Sequence, residues 1–217
     1  ASHTSFENVL ACPTCNSRIT GSGSTFDCAA CRRSYPVNDG ILSLAARSTT
    51  LGEFSNEETQ EFVRAADDLG WKTALHTIVR PRNPAVPDLL FDSRRSKFLQ
   101  LLNGSSKGVV ADIGCGYGGI SRQLTQHYRY VFSLDSGVER LGFLNVIRKQ
   151  EHIQNIRLIH HGDITSLPFA DNSLDTIILV GVFEYLPLAY PEAPIKDVQG
   201  RVLAELYRAL RPGGHLY

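Results

Sequence analysis

Apolar residues in the second half of the chain form short continuous runs, separated by stretches in which apolar residues recur with helical spacing. The runs predict buried strands at 109–113, 130–134, 156–160 and 174–180, with a fifth strand beginning at 215. The stretches between them predict helices at 120–127, 139–150 and 196–210. Because strands and helices alternate, we expect an α/β fold with a Rossmann-like, doubly wound parallel sheet.

The pattern before this half differs, and it predicts a helical connector over residues 46–107. Ser55 and Glu58 have the spacing of a capping box, so a first helix is expected to start there. Three prolines predict an irregular loop over residues 80–88, because proline interrupts regular backbone hydrogen bonding. A second helix is expected at 93–102, followed by a turn into the first strand of the sheet.

The composition is that of an ordinary globular protein, with 42% hydrophobic and 20% charged residues among 217. Lys and Arg together number 22, as do Asp and Glu, so no net charge draws the molecule to nucleic acid or anionic membrane. A local basic cluster at 80–97 is either a solvated surface or a grip for an anionic substrate. The sequence shows no membrane-spanning run and no secretory signal, so a cytoplasmic protein is expected.

Four of the five cysteines form two pairs with two residues between the partners. The first pair is Cys12 and Cys15, and the second is Cys28 and Cys31. This spacing lets four thiolates meet at one tetrahedral metal ion, which leaves no open position for catalysis. Residues 1–45 are therefore expected to form a small module that structural zinc stabilises, since it has few apolar residues to bury. Two disulfides or a redox-active pair are the alternatives.

The first predicted strand leads into a turn with glycines at 114, 116 and 118, and a helix follows. Glycine permits positive φ and close approach of backbone to a ligand, and a helix start offers unpaired N–H groups. With Gly119, the turn also satisfies the GxGxxG fingerprint of dinucleotide-binding domains. Asp135 then ends the next strand, where such domains bind a ribose. An NAD-dependent oxidoreductase is therefore one possible function.

Three features favour a different cofactor. Asp112 places a carboxylate at the strand tip, where it suits a cationic amino-acid group rather than a pyrophosphate. Gly118 extends the pattern to DxGxGxG, and the runs 162–164 and 167–175 follow in the expected order. In these motifs, residues 108–217 resemble the class I S-adenosylmethionine-dependent methyltransferases, and in particular those of methyltransferase type 11.

The resemblance implies a set of residues around S-adenosylmethionine: Asp112, Gly114, Cys115, Gly116, Asp135, Ser136, Asp163 and Ile164. It implies that Asp112 lies near the amino-acid end and that Asp135 accepts hydrogen bonds from the ribose hydroxyls. Asp163 is implied to bind the adenine amino group, with Ile164 against the ring, although an Asp at this place can also cap a turn.

Glu184 and Tyr185 follow the fourth predicted strand, at the edge of the sheet where acceptors usually dock. They are the candidates for contact with the acceptor or the cofactor. Members of this family continue beyond the fifth strand, so residues 108–217 are expected to be an incomplete, C-terminally truncated domain.

Residues 35–42, together with the cysteine pairs, resemble the zinc ribbon that precedes some methyltransferase domains, among them ribosomal-RNA guanine methyltransferases. The expected function is methyl transfer to a small molecule, a sugar or lipid precursor, or RNA. The absence of net charge favours a small molecule slightly over RNA. A scaffold that binds the cofactor without catalysis is the non-enzymatic alternative.

Overall fold

In a computed structural model, which describes residues 6–44, 54–91, 93–102 and 108–217, nine strands share one hydrogen-bonded sheet. In chain order these strands are β1 Ile19–Ser22, β2 Thr25–Cys28, β3 Ser34–Asn38, β4 Ile41–Ser43, β5 Val109–Ile113, β6 Tyr130–Asp135, β7 Ile156–His160, β8 Leu174–Ile178 and β9 Leu210–Leu216. Across the sheet they lie in the order β1, β2, β3, β4, β7, β6, β5, β8 and β9.

Strands β5 to β9 pair in parallel, as the sequence predicts. Successive side chains of β5 point to opposite faces of the sheet: Val110 packs in the core on one face, and Val109 and Ala111 pack in the core on the other. Because both faces are covered, every residue of β5 is buried. The predicted α/β fold with a doubly wound parallel sheet is confirmed.

Helices cover both faces of this sheet. Among the described residues the α-helices are α1 Asn56–Leu69, α2 Trp71–Ala74, α3 Arg80–Arg82, α4 Ala85–Phe91, α5 Gly119–Leu124, α6 Val138–Gln150, α7 Leu186–Ala189 and α8 Ile195–Ala209. The predicted capping box of α1 is present: Glu58 N donates to Ser55 Oγ at 3.2 Å, and Ser55 N donates to Glu58 Oε2 at 2.9 Å. Helices α1 and α6 contribute to the core on one face, and α8 contributes to the core on the other.

The irregular loop predicted at residues 80–88 is wrong, because most of this stretch is helical. Pro81 lies in the first turn of α3, and Pro87 lies in the first turn of α4. The first N–H groups of a helix that begins after a break have no acceptor within the helix, so Pro87 sacrifices no hydrogen bond. Pro81 follows directly on a π-helical turn, where the regular i→i−4 hydrogen bonding is already interrupted. A π-helical turn, Leu75–Val79, joins α2 to α3.

Two other elements differ from their predicted form. The second connector helix spans Ser93–Leu102 as predicted, but it is a 3₁₀ helix. The fifth parallel strand starts earlier than predicted, at Leu210, directly after α8. Gly213, at φ 78°, lets this strand continue through an irregularity in its pairing with β8. The predicted turn at 103–107 and the predicted boundary after residue 45 lie outside the described residues.

The N-terminal module extends the sheet at the β7 edge. Strands β1 to β4 are antiparallel to one another, and β4 then pairs in parallel with β7. In this register Ile41 lies beside Leu158, and Ser43 lies beside His160. The module therefore covers an edge that would otherwise expose unpaired backbone groups. The division of the chain into three segments stays a prediction.

Candidate active site and metal centre

The glycine-rich turn leaves the C-terminal end of β5 and is tied to the neighbouring strand β6. Gly114 and Cys115 both donate backbone hydrogen bonds to the Leu134 carbonyl, at 2.8 and 2.9 Å. Gly114 has a φ of 72°, and a Cβ at this position would lie 2.4 Å from Cγ2 of Val182, so glycine is needed for both conformation and space. Burial raises the pKa of the Cys115 thiol well above its ordinary value, so the thiol stays protonated at neutral pH.

A cleft of about 340 Å³ opens beside this turn, at the edge of the sheet where ligands of parallel α/β proteins bind. The predicted site residues that line it are Asp112, Gly114, Cys115, Gly116, Asp135, Ser136, Ile164, Glu184 and Tyr185. Asp163 is outside this lining. The structure thus brings the candidate acceptor contacts and all but one of the predicted cofactor contacts to a single cavity.

Asp112 lines the cleft although its side chain is almost fully buried. Its Oδ2 accepts a 2.5 Å hydrogen bond from the Ser121 hydroxyl, which accepts a 2.8 Å hydrogen bond from Ser133. Burial raises the pKa of Asp112 to about 6; the charge of Asp135 adds to the rise, and the Ser121 hydrogen bond opposes it. Above that pH the cleft holds a buried negative charge, which suits a cationic group of a ligand.

Asp135 ends β6 and is fixed by donors from two directions. Its Oδ2 accepts from Gly116 N at 2.8 Å, and its Oδ1 accepts from Gly137 N at 2.7 Å. Arg140, in the first turn of α6, donates to Oδ1 from Nε at 3.0 Å and from Nη2 at 2.6 Å. Sequence reasoning missed Arg140, which also lines the cleft. A basic residue placed one helical turn after a strand-end acid was the available signal.

Asp163 caps a turn, which is the alternative role considered for it. Its Oδ1 accepts from Thr165 N at 2.9 Å, from Thr165 Oγ1 at 2.7 Å and from the Tyr190 hydroxyl at 2.8 Å. Burial alone would raise the pKa of Asp163, but these hydrogen bonds outweigh burial and hold the pKa below its ordinary value. Tyr190 was not singled out from the sequence, yet it lines the cleft and contacts this turn. Contact between Asp163 and an adenine ring stays a prediction.

His161 follows β7 and lines the cleft. Its Nε2 lies 2.7 Å from the Asp163 carbonyl oxygen and 2.9 Å from the Ser166 carbonyl oxygen, so Nε2 carries the proton and donates to both. Burial lowers the pKa of His161 below its ordinary value, so the ring is neutral at pH 7. The imidazole therefore holds the loop after β7 in shape.

The basic cluster of the connector is partly neutralised within the protein. Arg80 Nη2 lies 2.7 Å from Asp88 Oδ1, and Arg82 Nη2 lies 2.7 Å from both carboxylate oxygens of Glu61. Among the described residues that line the cleft, the side chains charged at neutral pH are three carboxylates and the guanidinium of Arg140. The charge of the cleft therefore opposes the entry of a polyanion.

The two cysteine pairs form knuckles with the same backbone geometry. Asn16 N donates to the Cys12 carbonyl in the first knuckle, and Arg32 N donates to the Cys28 carbonyl in the second, both at 2.8 Å. Asn16 and Arg32 both have positive φ, at 56° and 58°. The repeat in sequence is therefore also a repeat in structure.

The four sulfurs of these knuckles lie within 4.8 Å of one another. The Sγ atoms of Cys12 and Cys31 are 3.6 Å apart, and those of Cys15 and Cys28 are 3.5 Å apart. Tetrahedral zinc with bonds of about 2.3 Å requires sulfurs roughly 3.8 Å apart, whereas a disulfide requires about 2 Å. The free thiols thus fit a metal ion better than two disulfides. The Tyr35 hydroxyl, 3.0 Å from Cys12 Sγ, supplies a hydrogen-bond partner of the kind found behind metal ligands.

A comparison with known protein families identifies the domain that contains this cleft. Residues 111–217 match the family model described as a methyltransferase domain. This half of the chain belongs to the S-adenosylmethionine-dependent methyltransferases. The matched range of the methyltransferase domain contains the glycine turn and both Asp135 and Asp163.

Two relatives illustrate how far the similarity extends. The chain is 33% identical over 120 residues to the malonyl-[acyl-carrier protein] O-methyltransferase of Pectobacterium atrosepticum, covering 54% of this chain and 40% of that protein. It is 26% identical over 231 residues to an uncharacterised chloroplastic methyltransferase of Arabidopsis thaliana, covering 96% of this chain and 60% of that protein. The second match includes the N-terminal module. The chain thus spans less than two thirds of either relative.

Among solved structures, the chain resembles phosphoethanolamine N-methyltransferase 1 of Haemonchus contortus, in complex with phosphoethanolamine and S-adenosylhomocysteine. The TM-score is 0.50 at 21% identity, over 74% of this chain and 31% of that one, which is a likeness of fold. Nothing among these relatives supports the oxidoreductase alternative. Within the described residues, every helix is too short or too polar to span a bilayer.

Proposed function

We propose that this methyltransferase transfers a methyl group from S-adenosylmethionine to a small molecule bound in the cleft beside the glycine turn. The observation that carries the proposal is the position of Asp112, Asp135 and Glu184 around one cavity of about 340 Å³. S-Adenosylmethionine supplies an electrophilic methyl group on a sulfonium, with a neutral leaving group. Much of the catalysis can therefore come from positioning the acceptor and cofactor against each other.

Each acidic residue then has a distinct part in holding the cofactor. Asp112, ionised above about pH 6, provides the negative charge for the cationic amino-acid end. Oδ2 of Asp135 accepts one hydrogen bond from Gly116 N and keeps lone-pair capacity for a ribose hydroxyl. Ile164 supplies an apolar surface in the same cleft for the adenine ring.

Glu184 and Tyr185 are proposed to face the acceptor. Both follow β8, line the cleft and are exposed, with Tyr185 39% accessible to solvent. A general base is needed only for an acceptor that must lose a proton before it reacts, and the Glu184 carboxylate is the candidate for that proton. Tyr185 offers an aromatic surface and a hydroxyl to orient the acceptor.

The charges around the cleft support a small-molecule acceptor in preference to RNA. Carboxylates outnumber the single guanidinium in the lining, and Arg80 and Arg82 of the basic cluster are paired with acids. An RNA acceptor would require cationic groups along the path of its backbone. The name of the Pectobacterium relative likewise describes an acceptor other than RNA, a malonyl group on an acyl-carrier protein.

Calorimetry with S-adenosylhomocysteine and with NAD tests the cofactor. We expect S-adenosylhomocysteine to bind, and we expect Asp135→Asn to weaken it at least tenfold because the ribose loses an ionised acceptor. Asp68→Asn, at an exposed position on α1, is the matched control and should bind like the wild type. Binding of NAD but not of S-adenosylhomocysteine would contradict the proposal.

The acceptor class is tested by turnover. We expect methyl transfer to at least one member of a small-molecule panel, and a loss of that turnover in Glu184→Gln if the acceptor must lose a proton before it reacts. Salt-sensitive binding of structured RNA, followed by its methylation, would overturn the preference for a small molecule. Cofactor binding with no turnover across both panels, in a chain of the relatives' full length, would favour a scaffold.

We also propose that Cys12, Cys15, Cys28 and Cys31 bind one structural zinc ion. The sulfur spacing and the matched knuckles support this, and zinc would hold together a module with a small apolar core. Elemental analysis should find about one zinc per chain, and the double variant Cys12→Ser, Cys28→Ser should lose it. Cys115→Ser, outside the cluster, should keep it. Equal zinc content in all three proteins would exclude this site.

The compartment is proposed from the relatives as well as from the sequence. Two Arabidopsis methyltransferases that match at least 95% of this chain are described as chloroplastic, so a plastid competes with the predicted cytoplasmic location. The cytoplasm is compatible with thiolate zinc ligands, because it keeps thiols reduced. Fractionation of cells that express the tagged protein decides between them.

A further inference from the structure

The first cysteine knuckle lies directly against the loop that forms one wall of the cleft. The residues of this loop that line the cleft are His161, Gly162, Ile164 and Leu167. Ser166, between them, donates a 2.6 Å hydrogen bond from its hydroxyl to the carbonyl of Pro13. Pro13 lies between Cys12 and Cys15, so one loop contacts both the knuckle and the cleft.

The backbones of the two segments are also paired. Ala11 N donates to the Pro168 carbonyl at 3.0 Å, and Ala170 N donates to the Val9 carbonyl at 2.8 Å. These hydrogen bonds flank an antiparallel bridge between Leu10 and Phe169, whose side chains are buried. The contact therefore combines backbone hydrogen bonds with buried apolar side chains, and together they hold the knuckle segment against the loop.

Asn16, which directly follows Cys15, adds side-chain hydrogen bonds to this contact. Asn16 Nδ2 donates to Asp171 Oδ1 at 3.1 Å, and Arg208 Nη1 donates to Asn16 Oδ1 at 3.3 Å. Arg208 also donates to the Leu167 carbonyl at 3.1 Å. The knuckle and α8 thus hold the same loop together.

Ser166 stands where this contact reaches the cleft. Its hydroxyl binds the knuckle at Pro13, and its carbonyl accepts the 2.9 Å hydrogen bond from His161, a residue of the cleft wall. Movement of the knuckle would therefore change the acceptor that holds the His161 ring. Two hydrogen bonds separate the metal centre from the cleft.

We propose that Ser166 is a positioning residue that couples the cysteine metal centre to the cofactor cleft. The coupling rests on the proposed function, since it presumes zinc at the thiolates and S-adenosylmethionine in the cleft. Zinc closes the knuckle, the closed knuckle places the Pro13 carbonyl for Ser166, and the loop then keeps the wall of the cleft in its binding form. Because linkage is reciprocal, the cofactor raises the affinity for zinc by the same factor.

The test measures both affinities in the full chain. S-Adenosylhomocysteine binding is followed by calorimetry, and zinc binding by competition with a chromophoric chelator. We expect Ser166→Ala, with zinc bound, to bind S-adenosylhomocysteine about 5- to 20-fold more weakly, within the usual range of coupling between sites. Ser166→Thr, which keeps the hydroxyl, should recover most of the loss. S-Adenosylhomocysteine should tighten zinc binding in the wild type and should do so much less in Ser166→Ala.

Ser34→Ala is the matched control, because Ser34 is in the same module and its hydroxyl binds Asp27 rather than the loop. It should leave both affinities unchanged. If Ser166→Ala does not fold, Asn16→Gly replaces it, since glycine keeps the positive φ of Asn16 and removes the side-chain contacts with Asp171 and Arg208.

The outcomes separate the two proposals. Suppose that the wild type binds zinc and S-adenosylhomocysteine, that neither ligand changes the affinity for the other, and that the Ser166 variants bind both ligands like the wild type. The coupling is then wrong, and the proposed function stands. If the wild type binds zinc but no S-adenosylhomocysteine, the proposed function fails and the coupling fails with it.

Discussion

Arg140 donates two hydrogen bonds to Oδ1 of Asp135, and both side chains of this ion pair are largely shielded from solvent. Burial lowers the pKa of Arg140, but the charge of Asp135 outweighs burial and keeps that pKa above its ordinary value. Asp135 is therefore paired with Arg140, and both residues line the cleft.

We predict that Arg140→Met lowers the free energy of unfolding by about 2 kcal/mol, because Asp135 loses its cationic partner and keeps only two backbone donors. Urea unfolding at neutral pH measures the change. Arg148→Met is the matched control, since Arg148 is on the same helix and donates to the neutral Asn145. An equal loss in both variants would contradict a special role for the pair.

Ionised Asp112 is expected to lower the stability of the folded protein and to strengthen the binding of the cofactor. Its pKa in the folded protein is raised to about 6, so ionisation penalises the folded state more than the unfolded one. The penalty develops as pH rises from about 4 to 6 and is complete above pH 6. Asp112→Asn should therefore raise the melting temperature at pH 8 relative to the wild type, with little gain at pH 4.

The same substitution should weaken S-adenosylhomocysteine binding at least tenfold at pH 8, since the cationic amino group loses its counter-charge. In the wild type, affinity should fall as pH drops through 6, whereas in Asp112→Asn that dependence should disappear. Calorimetry at several pH values checks both points. A wild-type affinity that is flat between pH 5 and 8 would disprove the assignment.

Gly114 is predicted to tolerate no side chain, because both its backbone conformation and the space around it require glycine. Gly114→Ala combines a φ of 72° with a Cβ that would lie 2.4 Å from Val182, so we expect a loss of about 3 kcal/mol and of cofactor binding. Gly23→Ala has a similar φ of 76° and open space around the new Cβ, and it should cost only about 1 kcal/mol. Thermal unfolding of both variants distinguishes the cost of backbone strain, which both share, from the cost of the steric clash, which only Gly114→Ala has.

Arg32 occupies a backbone conformation that suits glycine better. Its φ is 58°, and its side chain is exposed. Arg32→Gly should stabilise the N-terminal module by about 0.5 kcal/mol, because glycine removes the strain of the left-handed region at some cost in entropy. Arg33→Gly, one residue later and outside that region, should destabilise it slightly. We expect urea unfolding to show a higher free energy of unfolding for Arg32→Gly and a lower one for Arg33→Gly.

The features that the sequence predicted correctly depend on nearby residues. The glycine turn, Asp135 at the end of a strand and the two cysteine knuckles each have spacings that short-range geometry fixes, and the structure brings these residues into one cleft and one sulfur cluster. The buried strands were legible because both faces of the sheet are covered, which makes them continuously apolar.

The features that the sequence did not predict depend on distant partners or on position within a helix. Pro81 and Pro87 suggested a loop because their place in a first helical turn cannot be read from the residue type. Tyr190 binds Asp163 across 27 residues, and no spacing rule connects them. The pairing of β4 with β7 depends on the assembled sheet and has no local signal.

That pairing also constrains synthesis on the ribosome. Ser43 lies beside His160, which follows it by 117 residues. At a translation rate of about 5–20 residues per second, roughly 6 to 23 s pass between the synthesis of the two strands. During that interval β4 is an open edge of the nascent chain. The N-terminal module is synthesised before the strand that pairs with its edge, so it is completed late, and chaperones that shield exposed strands have their best opportunity during this interval.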